Sequence, residues 1–198
     1  MELILVRHAR PEHIENADGP ADPPLTEIGR RQALAVAGWL ATEEIDALYA
    51  SPMVRARETA APLARVLDME PEIRAGVREF DAEDRSYIPV EVLRQDREKF
   101  KAFVASEQVN AERLAFAAEV VETLTEIAAA HRSQRVVVVC HGGVINAWTT
   151  HVLGIPYRMF FDPTYTSINR YMIASSGEMS LVSLNERAHL RAAPGLQL

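Results

Sequence analysis

The chain has 198 residues, 48% of them hydrophobic, with 28 acidic against 21 basic side chains and a formal net charge of −7. That length and apolar share suit one folded domain and exclude a disordered chain. The negative balance argues against general binding of nucleic acid or an anionic membrane, so any phosphate must meet a local cluster of cations.

The single cysteine, Cys140, excludes an intramolecular disulfide. No apolar run approaches the roughly 18 residues of a membrane span. Glu2–Val6 is too short for the apolar region of a signal peptide. The expectation is a cytoplasmic protein.

In chain order, residues 3–6 form an apolar run ending at Arg7-His8 and read as a buried central strand. Residues 9–24, with four prolines, read as a loop. Thr26 caps a helix whose Leu34, Ala37 and Leu40 lie near helical spacing. Residues 45–50 read as a second strand, and Ser51-Pro52 opens a helix over about 53–67. A third short strand is expected near 72–77. Residues 80–110 are the least regular part, with a helix expected over about 90–105. A long helix follows over 111–131, then the valine-rich strand 136–140, His141-Gly142-Gly143 and a helix to about 153. Residues 168–175 and 179–184 read as a terminal hairpin.

Strands alternating with helices predict a three-layer α/β/α sandwich around a mostly parallel sheet. The expected organisation is one domain over 1–198, with a small helical cap inserted at 80–110. Ligands of such sheets bind beyond the carboxyl ends of the strands. Arg7-His8, Arg55, Glu79 and His141 each follow a predicted strand, so four separate segments converge on one edge.

Singly these residues are weak signals: a histidine after a strand is often structural, and a glutamate in a loop is usually just solvated. Arg55 lies in the first turn of its helix, where the macrodipole disfavours a cation unless an anion is near. The glycines after His141 let backbone amides at a helix start approach an anion. Together they suit phosphoryl transfer. A neutral imidazole at His8 attacks phosphorus, splitting hydrolysis into two steps. Arg7 and Arg55 offer planar forks to phosphate oxygens, and a protonated His141 adds a third donor. Glu79 gives a proton to the leaving alkoxide and later takes one from water. No step asks for a metal or another cofactor.

The resemblance to a family lies in these same segments. Leu5-Val6-Arg7-His8-Ala9 is similar to the Arg-His-Gly signature of the histidine phosphatase, or phosphoglycerate mutase-like, superfamily. Leu25-Thr26-Glu27-Ile28-Gly29 with Gln32-Ala33 resembles its Leu-Thr-x-x-Gly-x-x-Gln-Ala element. Ser51-Pro52-Met53-Val54-Arg55-Ala56 with Thr59-Ala60 resembles its arginine-bearing helix start, and Val138-Val139-Cys140-His141-Gly142-Gly143 its second-histidine motif. Asn185 and His189-Leu190 resemble a tail common in its small bacterial phosphatases.

The resemblance implies a metal-independent phosphatase of a small phosphorylated metabolite. His8 is the phosphorylated nucleophile and Arg7, Arg55 and His141 form the phosphate pocket. Gly142, Thr26 and Asn16 join the substrate-binding set. Glu79 is the proton donor by its place before the insertion, with Asp81, Glu83 and Asp84 as neighbouring alternatives. Ala9 departs from the family's glycine and would resist a positive φ.

Two other functions compete: phosphoglycerate mutase chemistry, and a catalytically inactive phosphate-binding module. The acidic stretch Phe80–Arg85 speaks against the mutase, because it would repel a substrate carboxylate. Substrate identity and oligomeric state are not legible. Arg85, Tyr87, Phe100 and Phe103 in the insertion indicate neither a sugar nor a lipid, and helical periodicity assigns both phenylalanines to the core. His13, His131, His151 and His189 are expected to be structural or surface residues, and Cys140 a buried thiol.

Overall fold

A computed structural model describes residues 1–106, 108–191 and 195–196. Strand β1 (Glu2–Arg7) leads through the proline-rich loop to α1 (Glu27–Leu40), then to β2 (Ala47–Ala50) and α2 (Val54–Leu67). A two-residue strand, β3 (Glu72–Ile73), is followed by a 3-10 turn at Ala75–Val77. Two helices, α3 (Val90–Leu93) and α4 (Arg97–Ser106), precede α5 (Ala111–Ala130). The chain closes through β4 (Arg135–Cys140), α6 (Gly142–Val152), the hairpin β5 (Ile168–Ile173) and β6 (Met179–Glu186), and α7 (Ala188–Arg191).

The strands form one six-stranded sheet in the order β3-β2-β4-β1-β5-β6. The pairs β1/β4, β2/β4 and β2/β3 are parallel, whereas β5 runs against both its neighbours. Alternation along each strand sorts the core to two faces. Leu3, Leu5, Val136, Val138 and Cys140 pack with α5 and α6 through residues such as Leu124, Ile127 and Trp148. Ile4, Val6, Val137 and Val139 pack with α1 and α2 through Val36, Leu40 and Leu63. Helices cover both faces, which is why β1 and β4 are almost unbroken apolar runs. No helix among the described residues is long and apolar enough to cross a membrane.

Two local expectations need correction. The strand expected over 72–77 ends at Ile73, because the chain turns inward to bring Gly76 against Thr123 of α5. A Cβ at Gly76 would run into that threonine hydroxyl, so the turn needs glycine. The single helix expected over 90–105 is broken into α3 and α4. Asp96 causes the break: its Oδ1 accepts from the amides of Glu98 (3.0 Å) and Lys99 (3.1 Å), starting a new helix. The short α7, which has no sequence signal of its own, follows the terminal hairpin. The insertion also contains residue 107, which lies outside the described residues.

Candidate active site

The site forms where β1 and β4 end side by side. Arg7 is in register with Cys140, so His8 and His141 leave adjacent parallel strands at the same level. The His8 amide donates to the Cys140 carbonyl (2.9 Å), and the two imidazole centroids are 5.1 Å apart. Ala9 is buried with its amide donating to Thr59 Oγ1 (2.9 Å), and its φ is not positive. Alanine therefore sits there without strain.

His8 is 2% exposed. Its Nδ1 lies 2.8 Å from the Ala9 carbonyl oxygen, an acceptor only, so Nδ1 carries the proton and Nε2 the lone pair. Burial, then the charges of Arg55 and Arg7, push its pKa well below 6.5. A neutral imidazole with a fixed tautomer is the form a nucleophile needs.

His141 is wholly buried, with Nε2 2.7 Å from Ser51 Oγ. Burial first, then Arg55, His8 and Arg7, holds its pKa well below 6.5. The unliganded protein therefore favours the neutral form of His141. In the tautomer where Nε2 accepts from the Ser51 hydroxyl, the ring proton sits on Nδ1, which has no partner among the described residues.

Arg7 and Arg55 flank the histidines, each stacked on a tyrosine. The Arg7 Cζ lies 4.5 Å from the centre of the Tyr165 ring, and the Arg55 Cζ 4.6 Å from that of Tyr87. Arg7 Nη1 donates to Asp162 Oδ1 (3.3 Å) and to the Pro163 carbonyl. Arg55 is wholly buried, with Nη2 donating to Asp81 Oδ1 (3.2 Å). Among the described residues, Arg7 Nε, Arg55 Nε and Arg55 Nη1 have no hydrogen-bond partner. Buried donors are nearly always satisfied, because each orphan costs about 1–3 kcal/mol or more when charged. Four at one sheet edge, counting His141 Nδ1, mark a place built for an anion.

Glu79 accepts from the amides of Phe80 and Gly143, both at 2.9 Å. Burial, then the neighbouring Asp81, raises its pKa, against the lowering effect of those amides and of Arg55. A Cβ at Gly143 would meet Glu79 Oε1 and displace the carboxylate. Among the alternatives, Asp81 is tied to Arg55, Glu83 is exposed beside Arg78, and Asp84 lies on the cavity wall.

Arg7, His8, Arg55, Glu79, Gly142 and Gly143 share the wall of one cavity of about 470 Å³. His141, Thr26 and Asn16 are not on it. Thr26 is spent as the cap of α1, accepting from the Gly29 amide (2.9 Å) and donating to the Arg10 carbonyl (3.1 Å). Asn16 is exposed in a left-handed conformation (φ 54°), with its amide donating to Ser86 Oγ (3.0 Å). The insertion supplies Phe80, Tyr87, Val90, Leu93 and Phe103 to the wall. Phe103 thus faces the cavity instead of the core, whereas Arg85 is drawn away to the Ala17 carbonyl (2.7 Å).

Sequence reasoning missed Asp22, Ser51, Asp162 and Tyr165 as parts of the site. Ser51 was visible only as a helix-start residue. Asp162 and Tyr165 lie in the irregular stretch before β5, where no periodicity indicates which side chains turn inward. Of the remaining histidines, His131 bonds Tyr49 (2.7 Å) and His189 bonds Thr166 (3.0 Å), both remote in role from the cavity.

Comparison with known proteins agrees with this geometry. The family model of the histidine phosphatase superfamily (branch 1) matches residues 3–187. Phosphoserine phosphatase 1 of Hydrogenobacter thermophilus is 32% identical over 170 residues, covering 82% of this chain and 81% of its own. The metal-independent phosphoserine phosphatase of Arabidopsis thaliana is 31% identical over 163 residues, 74% of this chain and 66% of its own. Among solved structures, a phosphoserine phosphatase mutant of Entamoeba histolytica in complex with phosphoserine superposes with a TM-score of 0.74 at 25% identity. That match covers 96% of this chain and 98% of the other. The chain belongs to the histidine phosphatase superfamily, branch 1, and is a phosphatase of that superfamily.

Proposed function

We propose that the chain hydrolyses a small phosphomonoester through a phosphohistidine on His8, with Glu79 as proton donor and acceptor. The observation that carries this is the set of unpartnered donors on Arg7, Arg55 and His141 around a neutral, buried His8. In the first step the His8 Nε2 lone pair forms a bond to phosphorus as the ester P–O bond breaks. The electron pair leaves on the alkoxide, which takes the proton of Glu79. In the second step Glu79, now ionised, removes a proton from water. The resulting hydroxide bonds to phosphorus, the P–N bond breaks, and inorganic phosphate leaves with His8 neutral again. Arg7, Arg55 and the His141 Nδ1 proton meet the charge on the equatorial oxygens throughout.

Brief reaction with labelled substrate, followed by alkaline quench, should leave an acid-labile, alkali-stable label on wild-type protein at His8. Turnover should survive excess EDTA, since cationic side chains do the work of a Lewis acid. Label on a serine or aspartate, or EDTA-sensitive turnover restored by Mg²⁺, overturns the mechanism.

Residues 80–110 act in this reading as the cap that sets specificity. The alcohol part of the substrate rests on Phe80, Val90, Leu93 and Phe103. O-phosphoserine is the first compound to try, because relatives along most of the chain are phosphoserine phosphatases. Asp81 and Asp84 on the wall disfavour the reoriented phosphoacid of a mutase. Phe103→Ala should lower kcat/KM for phosphomonoesters with bulky apolar alcohols by roughly tenfold, and for O-phosphoserine much less. Equal losses across the panel would make the segment mere scaffold. The single buried thiol, Cys140, fits a cytoplasmic setting for this work.

A further inference from the structure

The geometry points to Asp22 as a positioning residue for Arg55, a role separate from any contact with substrate. The inference rests on the reading of the cavity as a phosphoryl-transfer site. Asp22 lies in the proline-rich loop, and both its oxygens accept from the amide of Val54, at 3.0 and 2.9 Å. Val54 is the first residue of α2, and the N-cap residue Met53 gives that helix no side-chain cap. Asp22 therefore caps α2 from another segment, one residue before the arginine.

The same carboxylate compensates the arginine's charge. Asp22 Oδ1 is 3.6 Å from Arg55 Nη1, close enough for an ion pair but not a hydrogen bond. Arg55 is wholly buried, so its cation needs an anion even before substrate arrives. Asp81 supplies one anion but occupies an Nη2 donor. Asp22 supplies another and leaves Nη1 and Nε open. A carboxylate that fixes both the helix start and the guanidinium plane holds those open donors toward the phosphoryl oxygens.

This arrangement predicts a split between binding and catalysis. Removing the Asp22 charge takes an anion away from Arg55, so ground-state phosphate binds no more weakly. The guanidinium, however, loses its alignment for the transition state. Asp22→Asn keeps an acceptor for the Val54 amide and discards the charge. Its kcat on an aryl phosphate should fall about tenfold, while calorimetry shows inorganic phosphate binding at least as tightly as to wild type. Because the effect runs through Arg55, the same substitution in an Arg55→Ala background should cause no further fall.

Asp22→Ser, which also keeps an acceptor without charge, must show the same split if Asp22→Asn does not fold. Wild-type kcat in a folded variant, or an undiminished fall in the Arg55→Ala background, overturns the role for Asp22. Failure of wild-type protein to form phosphohistidine would instead overturn the reading of the site, and phosphate calorimetry separates the two.

Discussion

His8→Ala is expected to lower kcat by at least about 10⁴-fold while leaving the binding of inorganic phosphate and orthovanadate measurable by calorimetry. In the proposed mechanism the His8 imidazole is the group that attacks phosphorus. Its Nδ1 proton is held by the Ala9 carbonyl, its Nε2 is free, and burial with two nearby arginines keeps it neutral. Alanine removes the nucleophile yet leaves the donors of Arg7, Arg55 and His141 in place, so an anion should still settle there. Retention of near-normal kcat would remove the chemical basis of the mechanism. Retention of binding with loss of turnover would separate the nucleophile from the anion pocket.

The depressed pKa of His8 also fixes a sign. The folded protein binds fewer protons at His8 than the unfolded chain between the folded value and 6.5. Its contribution to stability is therefore complete above pH 6.5 and is lost as pH falls through that window.

Glu79→Gln should lower kcat/KM, which reports transfer to His8, by roughly 10²–10⁴-fold for an alkyl phosphate, whose leaving alkoxide needs a proton, and much less for an aryl phosphate. Burial and Asp81 hold Glu79 protonated to higher pH than its ordinary value of 4.5. The wild-type kcat/KM should accordingly fall as pH rises through the Glu79 pKa, and glutamine should flatten that alkaline limb. Ionisation of this carboxyl opposes folding, because its folded pKa lies above the unfolded one. Stability is lost as pH rises from 4.5 through the folded value, so glutamine should not destabilise the protein at neutral pH. Gly143→Ala should reproduce the catalytic loss in part by displacing the Glu79 carboxylate. Equal losses on alkyl and aryl phosphates would move the proton-donor role to Asp81 or Asp84.

The sheet and its helices were legible in the sequence because their signals are local. The apolar runs of β1 and β4 reflect helices on both faces, and Thr26 and Asn110 cap the helices they precede. The convergence of Arg7, His8, Arg55, Glu79 and His141 was legible for the same reason: each follows a strand, and parallel strands end on one edge. Where a local signal was missed, as with Asp96 inside the helix expected over 90–105, the element broke.

The tertiary structure alone decided protonation and support. His141 has the same sequence context whether charged or neutral, and its neutrality follows from burial beside two guanidiniums. Asp22 is 33 residues from Arg55 and Asp162 is 155 residues from Arg7, so nothing local pairs them. Phe103 lines the cavity although helical periodicity assigned it to the core. Electrostatics and side-chain support depend on distances across the fold, and periodicity along the chain carries no record of them.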